Sequence, residues 1–203
     1  MVHILQNRPL ADHRMAGMFA DRKRLFVDLL GWDVPVVDNR FEIDNFDGAD
    51  ATYLIATDIA GDHIGSLRLL PTTRRHILGD LFPDLCVGMP PAGPGVMEVT
   101  RLCLPCRLGA VRRLAVRNRL ISAMVDHALA SGVTTLTGVV TRGFLEQVLA
   151  MGWTCAPLGQ VRRHGKDWLG AFRIELDAST VPGLIRTGIY TAGTIAVPQA
   201  LAA

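Results

Sequence analysis

The sequence predicts an α/β fold, a single domain over residues 1–203 in which a mixed sheet is flanked by helices. Apolar residues recur at helical spacing in two long segments, and β-rich apolar runs lie between and after them. No internal repeat and no Pro/Gly/Ser-rich linker divides the chain. With 203 residues and 49% hydrophobic content, the chain is long enough to bury one substantial core.

The first half of the chain predicts one helix and a hairpin. Apolar residues three and four positions apart predict a helix over residues 12–30, which Gly31 ends. Trp32 then begins a loop. Residues 51–59 and 64–70 are predicted strands, and the turn residues Ala60-Gly61-Asp62 between them indicate a hairpin.

The second half predicts alternating strands and helices. A strand over residues 96–104 precedes a long helix over residues 111–131, which Gly132 closes. A β-rich segment at 134–141, a short helix at 143–151 and strands near 153–158 and 168–176 follow. This order predicts a central mixed sheet with helices on both faces.

The formal net charge of +2 conceals an asymmetry along the chain. Residues 1–100 carry 9 Lys/Arg and 14 Asp/Glu, whereas residues 101–175 carry 11 and 4. We therefore expect the two halves to attract different partners. Nucleic acid is not an expected partner, because the overall charge is small and no binding motif accompanies the basic residues.

The chain is expected to be a cytoplasmic protein with no membrane partner. Charge or glycine interrupts every long apolar run before 18 residues, and the N-terminus lacks the pattern of a signal peptide. Four cysteines are too few for a disulfide framework and are predicted to be free thiols. The pair Cys103 and Cys106 lacks the second pair or histidines of a metal site, so we expect no metal and interpret the pair as inert.

Two charged motifs could carry chemistry. The acidic loop with Asp44 and Asp47 is either simply solvated or, together with the ring of Trp32, a site for a cationic ligand.

The second motif combines a glutamate with two arginines. Glu98 and Arg101 lie on one predicted strand and Arg68 on another. They form either a structural ion pair or a general base with an arginine clamp for a carboxylate. Because residues three apart on a regular strand face opposite ways, we predict a bulge or a splay between residues 96 and 102.

A basic run opens the predicted long helix. Its members are Arg107, Arg112, Arg113, Arg117 and Arg119. Cations are disfavoured at a helix N-terminus, so the run indicates either an anionic partner, such as a phosphate or an acidic protein surface, or a solvated face.

Taken together, the ordered motifs resemble the LuxI-type autoinducer synthases, the acyl-homoserine-lactone synthases of bacterial quorum sensing. The resemblance covers about 80 residues and rests on the segments Arg22 to Trp32, Glu42 to Gly48, Gly65 to Thr72, Leu81-Phe82 and Glu98 to Arg101. The C-terminal half is similar only in its pattern of helix, strand and short helix.

This resemblance implies the fold of the GNAT-type N-acetyltransferases and an acyltransferase activity. S-adenosylmethionine would be the amine donor and co-substrate, and acyl-carrier protein or acyl-coenzyme A the acyl donor. Lactonisation would then release methylthioadenosine. No prosthetic group is implied.

The resemblance also implies roles for individual residues. Glu98 would be the base and Arg101 a second catalytic residue. The S-adenosylmethionine pocket would comprise Arg22, Phe26, Trp32, Asp44, Asp47 and Arg68, with Phe82 at the wall between the two substrates. Independently of the resemblance, the excess of basic residues over 101–175 predicts that Arg112, Arg113 and Arg117 dock the acidic carrier protein.

The acyl chain is assigned to the C-terminal half. Candidate wall residues are Met124, Leu136, Gly138, Phe144, Leu149 and Trp153, each of which could equally belong to the plain core. Gly138 aligns with a threonine that the family associates with 3-oxo-acyl donors, while Thr137 should face the other way. Glycine is expected to leave room there, which predicts preference for an unsubstituted chain.

Two alternative functions remain. An ordinary acyl-coenzyme A N-acetyltransferase would need a pyrophosphate loop of the type Arg-x-x-Gly-x-Gly/Ala, and the segment Arg107-Leu-Gly109-Ala110 is one residue short. A non-catalytic binding module would have no need of the whole set of charged residues.

Overall fold

The protein, seen in a computed structural model that describes residues 1–196, is built around one eight-stranded sheet. Strands β1 (Val2–Gln6), β4 (Thr52–Thr57), β5 (His63–Pro71) and β6 (Val96–Cys103) form its first half. Strands β7 (Thr135–Thr141), β10 (Asp167–Glu175) and β8 (Thr154–Pro157) complete the order, and β9 (Arg162–His164) pairs with β10. Strands β2 (Val36–Val37) and β3 (Phe41–Glu42) form a separate small ribbon.

Helices cover both faces of the sheet, as predicted. Helix α1 (His13–Arg22) and the short α2 (Ile77–Leu81) contribute to an apolar cluster on one face. The other face is covered by α3 (Gly109–Ala130), α4 (Arg142–Leu149) and α5 (Thr180–Arg186), whose apolar residues join the larger core cluster. None of the helices in residues 1–196 combines the length and apolarity needed to cross a membrane.

The chain leaves α1 through a seven-residue π-helix, Lys23–Leu29. This segment lies within the predicted helix at 12–30 and is wider than an α-helix. The Trp32 N–H donates to the Phe26 carbonyl at 2.8 Å, and the two rings stack with centroids 4.7 Å apart. The π-helical turn thus brings together two aromatic residues that lie six positions apart.

Strand β6 contains the predicted bulge. Ser66 of β5 pairs with Cys103 and Arg68 pairs with Thr100, so the single residue between them on β5 faces two on β6. Arg101 adopts φ +51°, in the left-handed region. The predicted irregularity is confirmed, and it changes the direction of the Arg101 side chain relative to a regular strand.

Strands β6 and β7 pair only near their N-terminal ends. This parallel ladder joins Val96–Glu98 to Thr135–Thr137. Within residues 1–196, β6 and β7 form no further pairs beyond Glu98 and Thr137. Every other pair of strands in the sheet is antiparallel. A gap between β6 and β7 therefore opens toward the C-terminal ends of both strands.

The predicted helices and strands are all present, with bounds that differ by one or two residues at most ends. The sequence interpretation missed β1, β2, β3, α2, β9 and α5. Each of these has seven residues or fewer. Segments so short carry little periodicity, and α2 depends on a distant carboxylate, described below.

Candidate functional site

Arg22 lies at the centre of a buried charge network below α1. Its Nη1 and Nη2 atoms donate to the two carboxylate oxygens of Asp47 at 2.9 and 2.8 Å, and its Nε donates to Glu42. The Arg22 side chain is 1% exposed. A bidentate pair of this kind fixes both partners in position, so Arg22 ties α1 to β3 and the acidic loop.

Arg68 forms a second bidentate pair in the same network. Its Nη1 and Nη2 donate to Asp44 at 2.7 and 3.0 Å, and its Nε donates to the Thr100 hydroxyl at 3.0 Å. Nη1 also lies 2.7 Å from an Asp47 oxygen. Arg68 therefore connects the acidic loop to strands β5 and β6.

Arg101 is the third arginine of the network and the most exposed, with 11% of its side chain accessible against 1% for Arg22 and Arg68. Its Nη2 donates to Glu42 at 3.1 Å and to Asp44 at 2.7 Å. Its guanidinium also lies over the rings of Phe26 and Trp32, 5.6 and 5.8 Å from their centroids. Arg101, Asp44 and the ring of Trp32, which stacks on the buried Phe26, thus form the solvent-facing edge of the network.

Three arginines and three carboxylates balance each other in this network. Burial raises the pKa of Asp47, but the charge and hydrogen bonds of Arg22 and the charge of Arg68 outweigh it and hold the pKa well below its usual range. Both aspartates that could have served a cationic ligand are already paired with arginines in this structure. Asp47 thus has a bracing role, while Asp44, with an 8% exposed side chain, reaches the edge.

Glu98 is fully buried on the same face of the sheet, next to the network. Its carboxylate accepts hydrogen bonds from the backbone N–H groups of Ile77 and Leu78 at 2.7 and 2.9 Å, which begin α2. Burial raises the pKa of Glu98 to about 7, although these two hydrogen bonds and the arginine charges act in the opposite direction. Glu98 therefore caps a five-residue helix and has a pKa suited to proton transfer near neutral pH.

Phe82 lies at the C-terminal end of α2. Its ring packs against two apolar clusters, the one below α1 and a smaller one between α2 and β10. It also contacts the His164 ring edge-on, with centroids 5.1 Å apart. The position of Phe82 between two parts of the core agrees with the expected place at the wall between the two substrates.

The candidate acyl-chain residues lie on the opposite face of the sheet. Met124, Leu136 and Trp153 are buried in the larger core cluster, and Phe144 and Leu149 pack against it. The structure brings these side chains into one apolar cluster with α3 and α4.

Gly138 does not leave open space, which corrects the expectation from the sequence. A Cβ at this position would lie 2.7 Å from Cζ of Phe172 and 2.9 Å from the Val99 carbonyl oxygen. The ring of Phe172, on the neighbouring strand β10, already occupies that volume. Thr137 lies on the opposite face from Gly138 by strand alternation, and its buried hydroxyl has no partner among residues 1–196.

The basic run of α3 is divided between different surroundings. Arg112 and Arg119 are exposed, whereas Arg113 and Arg117 are half-buried, and Arg117 donates to the Asn118 side chain at 3.0 Å. Arg107 precedes the helix and is held in a bidentate pair by Asp21 at 2.6 and 2.8 Å.

The sequence interpretation missed the group around Asp21. Asp21 accepts from Arg107 and from Nδ1 of His63, which lies 42 positions away, and it is 3% exposed. A lone aspartate on the polar side of an amphipathic helix carries no signal of burial. Tyr53, whose hydroxyl donates to Asp47 at 3.0 Å, was also missed.

One of the four cysteines, Cys103, lies close to both groups, since the charges of Asp21, Arg22, Glu42 and Arg107 all act on its thiol. All four are free thiols, and Cys103 is fully buried, which raises the pKa of its thiol well above the usual range. Cys106 is exposed. A thiol as buried as that of Cys103 stays protonated, which agrees with an inert residue.

Comparisons with known proteins agree on one family. Residues 7–182 match the family model described as autoinducer synthase. An acyl-homoserine-lactone synthase of Ralstonia nicotianae is 36% identical over 170 residues, which cover 80% of this chain and 82% of the relative. One from Rhizobium etli is 34% identical over 185 residues, or 87% and 86% of the two chains.

Solved structures share the fold. A CoA-dependent acyl-homoserine lactone synthase, BjaI, with SAM and isopentyl-CoA, has a TM-score of 0.85 at 24% identity and covers 97% of this chain and 92% of its own. An N-acetyltransferase of Lactobacillus plantarum has a TM-score of 0.59 at 18% identity and covers 87% and 99%. The expected similarity to the N-acetyltransferase fold is confirmed.

Proposed function

This chain belongs to the autoinducer synthase family and is an acyltransferase, and we propose that it makes an acyl-homoserine lactone from S-adenosylmethionine and a thioester. The acyl group is transferred from acyl-carrier protein or acyl-coenzyme A to the amine of S-adenosylmethionine. The product is a quorum-sensing signal. The solved structure of BjaI with SAM and isopentyl-CoA supports both classes of substrate.

The observation that carries this proposal is the edge formed by Arg101, Asp44 and the ring of Trp32, which stacks on Phe26. S-adenosylmethionine presents a carboxylate, an ammonium and a sulfonium close together. Arg101 suits the carboxylate, Asp44 the ammonium, and the aromatic rings the sulfonium. Arg22, Asp47 and Arg68 hold this edge in place from below, and Phe82 forms the boundary to the acyl group.

Proton removal is assigned to Glu98. The amine of S-adenosylmethionine must lose a proton before it attacks a thioester carbonyl, and a base with a pKa near the working pH does this best. Glu98 meets that condition with a pKa of about 7. Its oxygens already accept from α2, and each has a further lone pair for the amine or for one bridging water.

Amide formation breaks the thioester and frees the donor thiol. Backbone N–H groups at the gap between β6 and β7 are candidates to stabilise the oxyanion that forms during attack, because the ladder between these strands ends after Glu98. The acyl chain then extends into the core cluster that contains Met124, Leu136, Phe144, Leu149 and Trp153. The N-terminal half thus holds the nucleotide and the C-terminal half the acyl group.

Lactone formation follows within the bound product. The carboxylate attacks its own γ-carbon, closes a five-membered ring and expels methylthioadenosine from the sulfonium. Correct orientation of reacting groups can supply on the order of 7 to 11 kcal/mol in an intramolecular step. Arg101 contributes by holding the carboxylate near that carbon.

A direct test measures both products of the reaction. Purified protein is incubated with S-adenosylmethionine and matched octanoyl donors on coenzyme A and on acyl-carrier protein, and the products are analysed by mass spectrometry. We expect equal amounts of octanoyl-homoserine lactone, methylthioadenosine and free thiol. An acylated amine without lactone would indicate an ordinary N-acyltransferase, and no product with either donor would refute the proposal.

A further inference from the structure

Glu98 has unused hydrogen-bonding capacity in this structure. Each of its carboxylate oxygens accepts one backbone N–H from the start of α2, that of Ile77 or that of Leu78. An ionised carboxylate offers about four acceptor positions, and a protonated one also needs an acceptor for its own O–H. A base that gains and loses a proton is therefore best served by a neighbour that can both donate and accept a hydrogen bond.

Thr137 is the residue beside Glu98 on the next strand. The two form the last pair of the parallel ladder between β6 and β7, on strands that lie about 4.8 Å apart. Thr137 is fully buried, and its hydroxyl has no hydrogen-bond partner in the described part of the chain. An unpaired buried hydroxyl is costly, so this one calls for a partner from outside those residues.

The side chains of Thr137 and Glu98 project from the same face of the sheet. Glu98 faces α2, whose N–H groups it accepts. Val139, two residues after Thr137, packs with Leu78 of α2, and residues two apart on a strand share a face. Leu136, in contrast, belongs to the large core cluster on the other face. The hydroxyl and the carboxylate thus lie side by side beneath α2.

A third group is needed to connect the hydroxyl to the carboxylate. No direct hydrogen bond joins Oγ1 of Thr137 to Glu98 in this structure. A buried water makes about three hydrogen bonds. The carboxylate, the hydroxyl and, once S-adenosylmethionine is bound, its amine offer that number of partners to a single water.

We propose that Thr137 is a positioning residue for the base: through one water, its hydroxyl donates to the ionised Glu98 carboxylate and accepts from the protonated acid. This inference rests on the proposed function. During proton transfer an N–H bond of the amine breaks, its electron pair stays on nitrogen, and an O–H bond forms on Glu98. The two hydrogen bonds through the water then reverse direction, which a hydroxyl allows and a methyl group does not.

Charged groups from several elements also act on Glu98. Burial raises the pKa of Glu98, whereas the N–H groups of α2 and the charges of Arg68 on β5 and Arg101 on β6 lower it. On the side of α2, the titratable residues are His76 at its start and Asp80, which is in a surface ion pair. Strand β7 carries no titratable side chain, so a substitution on that strand leaves all of these charges in place.

The test uses variants that differ in the hydroxyl group. Thr137→Val removes it at nearly constant volume, Thr137→Ser keeps it, and Thr135→Val is the matched control. Thr135 lies two residues earlier on the same face, and its hydroxyl bonds Glu175 instead. A hydrogen bond to a carboxylate favours the ionised form, so its loss should move the rising limb of kcat/KM about one pH unit higher in Thr137→Val. At pH 6 this is a loss of about tenfold, which shrinks above pH 8.

The remaining variants make the result specific to the hydroxyl. Thr137→Ser and Thr135→Val should keep the wild-type pH profile, and Thr137→Ala, a second variant without the hydroxyl, should show the same shift as Thr137→Val. A profile of Thr137→Val and Thr137→Ala that superimposes on that of the wild type would overturn the proposal. A loss of equal size at every pH would also overturn it, because a packing defect has that effect.

Carbon-13 NMR of the Glu98 carboxyl group distinguishes this failure from failure of the proposed function. The signal is assigned by its loss in Glu98→Gln, and its titration is followed without substrates. A higher pKa in Thr137→Val than in the wild type, with Thr137→Ser unchanged, supports the pair even if no lactone forms. The same pKa in Thr137→Val and the wild type rejects it.

Discussion

Asp21 and Arg22 are consecutive residues of α1, yet their buried side chains enter two separate charge networks. Asp21 pairs with Arg107 and His63 on one side, and Arg22 pairs with Glu42 and Asp47 on the other. Neighbouring residues of a helix point about 100° apart, which allows one turn to face two sites. The end of α1 thereby connects the proposed nucleotide edge to the group formed by Asp21, His63 and Arg107.

Replacement of Arg22 by methionine should strongly destabilise the protein. The change leaves two buried carboxylates, those of Glu42 and Asp47, without their main partner, and breaking a buried pair in this way costs about 3–5 kcal/mol. Urea unfolding measures the loss. Arg24→Met is the matched control, because the Arg24 side chain is 69% exposed and its pair with Asp21 should contribute about 1 kcal/mol or less. Equal losses would contradict the special role of Arg22.

Arg101→Gln should weaken binding of S-adenosylmethionine more than binding of the acyl donor. Its guanidinium is the exposed cation of the network, and loss of a charge-assisted pair to a carboxylate costs about 1.5–3 kcal/mol, or roughly 10- to 100-fold in KM. Steady-state kinetics with each substrate varied separately measures the difference. Arg75→Gln, at an exposed ion pair with Asp80, is the control. A change confined to the acyl donor would refute the assignment.

Glu98 should give the reaction its pH dependence. With a pKa of about 7, the group becomes an effective base as the pH rises through 7, so kcat/KM should increase over that range. Glu98→Gln should remove this dependence and lower kcat while S-adenosylmethionine still binds. Near-normal turnover of the variant would exclude Glu98 as the base.

The Glu98 carboxyl group should also make the stability of the protein depend on pH. Its folded pKa of about 7 lies above the ordinary value of 4.5, so the folded chain binds more protons between these values. The contribution of Glu98 is fully present below pH 4.5 and is lost as the pH rises through 7. Between pH 5 and 8 the wild type should therefore lose stability relative to Glu98→Gln, by on the order of 2 kcal/mol. Denaturant unfolding at both pH values checks the sign.

Charge reversal at Arg113 and Arg117 should raise KM for acyl-carrier protein. An acidic carrier approaching the basic side of α3 would meet like charge, while acyl-coenzyme A has no such protein surface. KM for S-adenosylmethionine should change little. Kinetics at low and high salt measures the effect, and insensitivity of the carrier reaction to both substitution and salt would defeat the prediction.

Because residue 138 is glycine, the protein should prefer unsubstituted acyl donors to 3-oxo-acyl donors. No side-chain hydroxyl is available there to bond the 3-oxo group, which forfeits roughly 0.5–1.5 kcal/mol, or about tenfold at most. Competition between matched 3-oxo and unsubstituted donors measures the preference, and a clear 3-oxo preference would refute it.

The crowding of Gly138 by Phe172 adds a structural control. Gly138→Thr alone should be destabilising, by about 1–3 kcal/mol, because its Cβ would overlap the Phe172 ring. A double variant with Phe172→Leu relieves the overlap with the ring, although the Val99 carbonyl oxygen, 2.9 Å from the new Cβ, must still shift. It should gain activity with 3-oxo donors relative to Phe172→Leu alone.

The amino-acid sequence by itself determined the local structure and much of the chemistry. The helical spacing of apolar residues predicted α1 and α3, and β-rich apolar runs, two of them separated by turn residues, predicted the central strands. The three-residue spacing of Glu98 and Arg101 was enough to predict the bulge in β6, because strand geometry is a local property. The ordered charged motifs indicated the family.

Tertiary structure alone decided which charges meet and which spaces are open. Asp44 and Asp47 are paired by arginines from three different elements, and Asp21 meets His63 and Arg107, which lie 42 and 86 positions away in the chain. Glycine at position 138 leaves no open space, because the Phe172 ring, on another strand, fills it. Such contacts depend on the sheet order and register, which join segments distant in the chain, so no local pattern of residues encodes them.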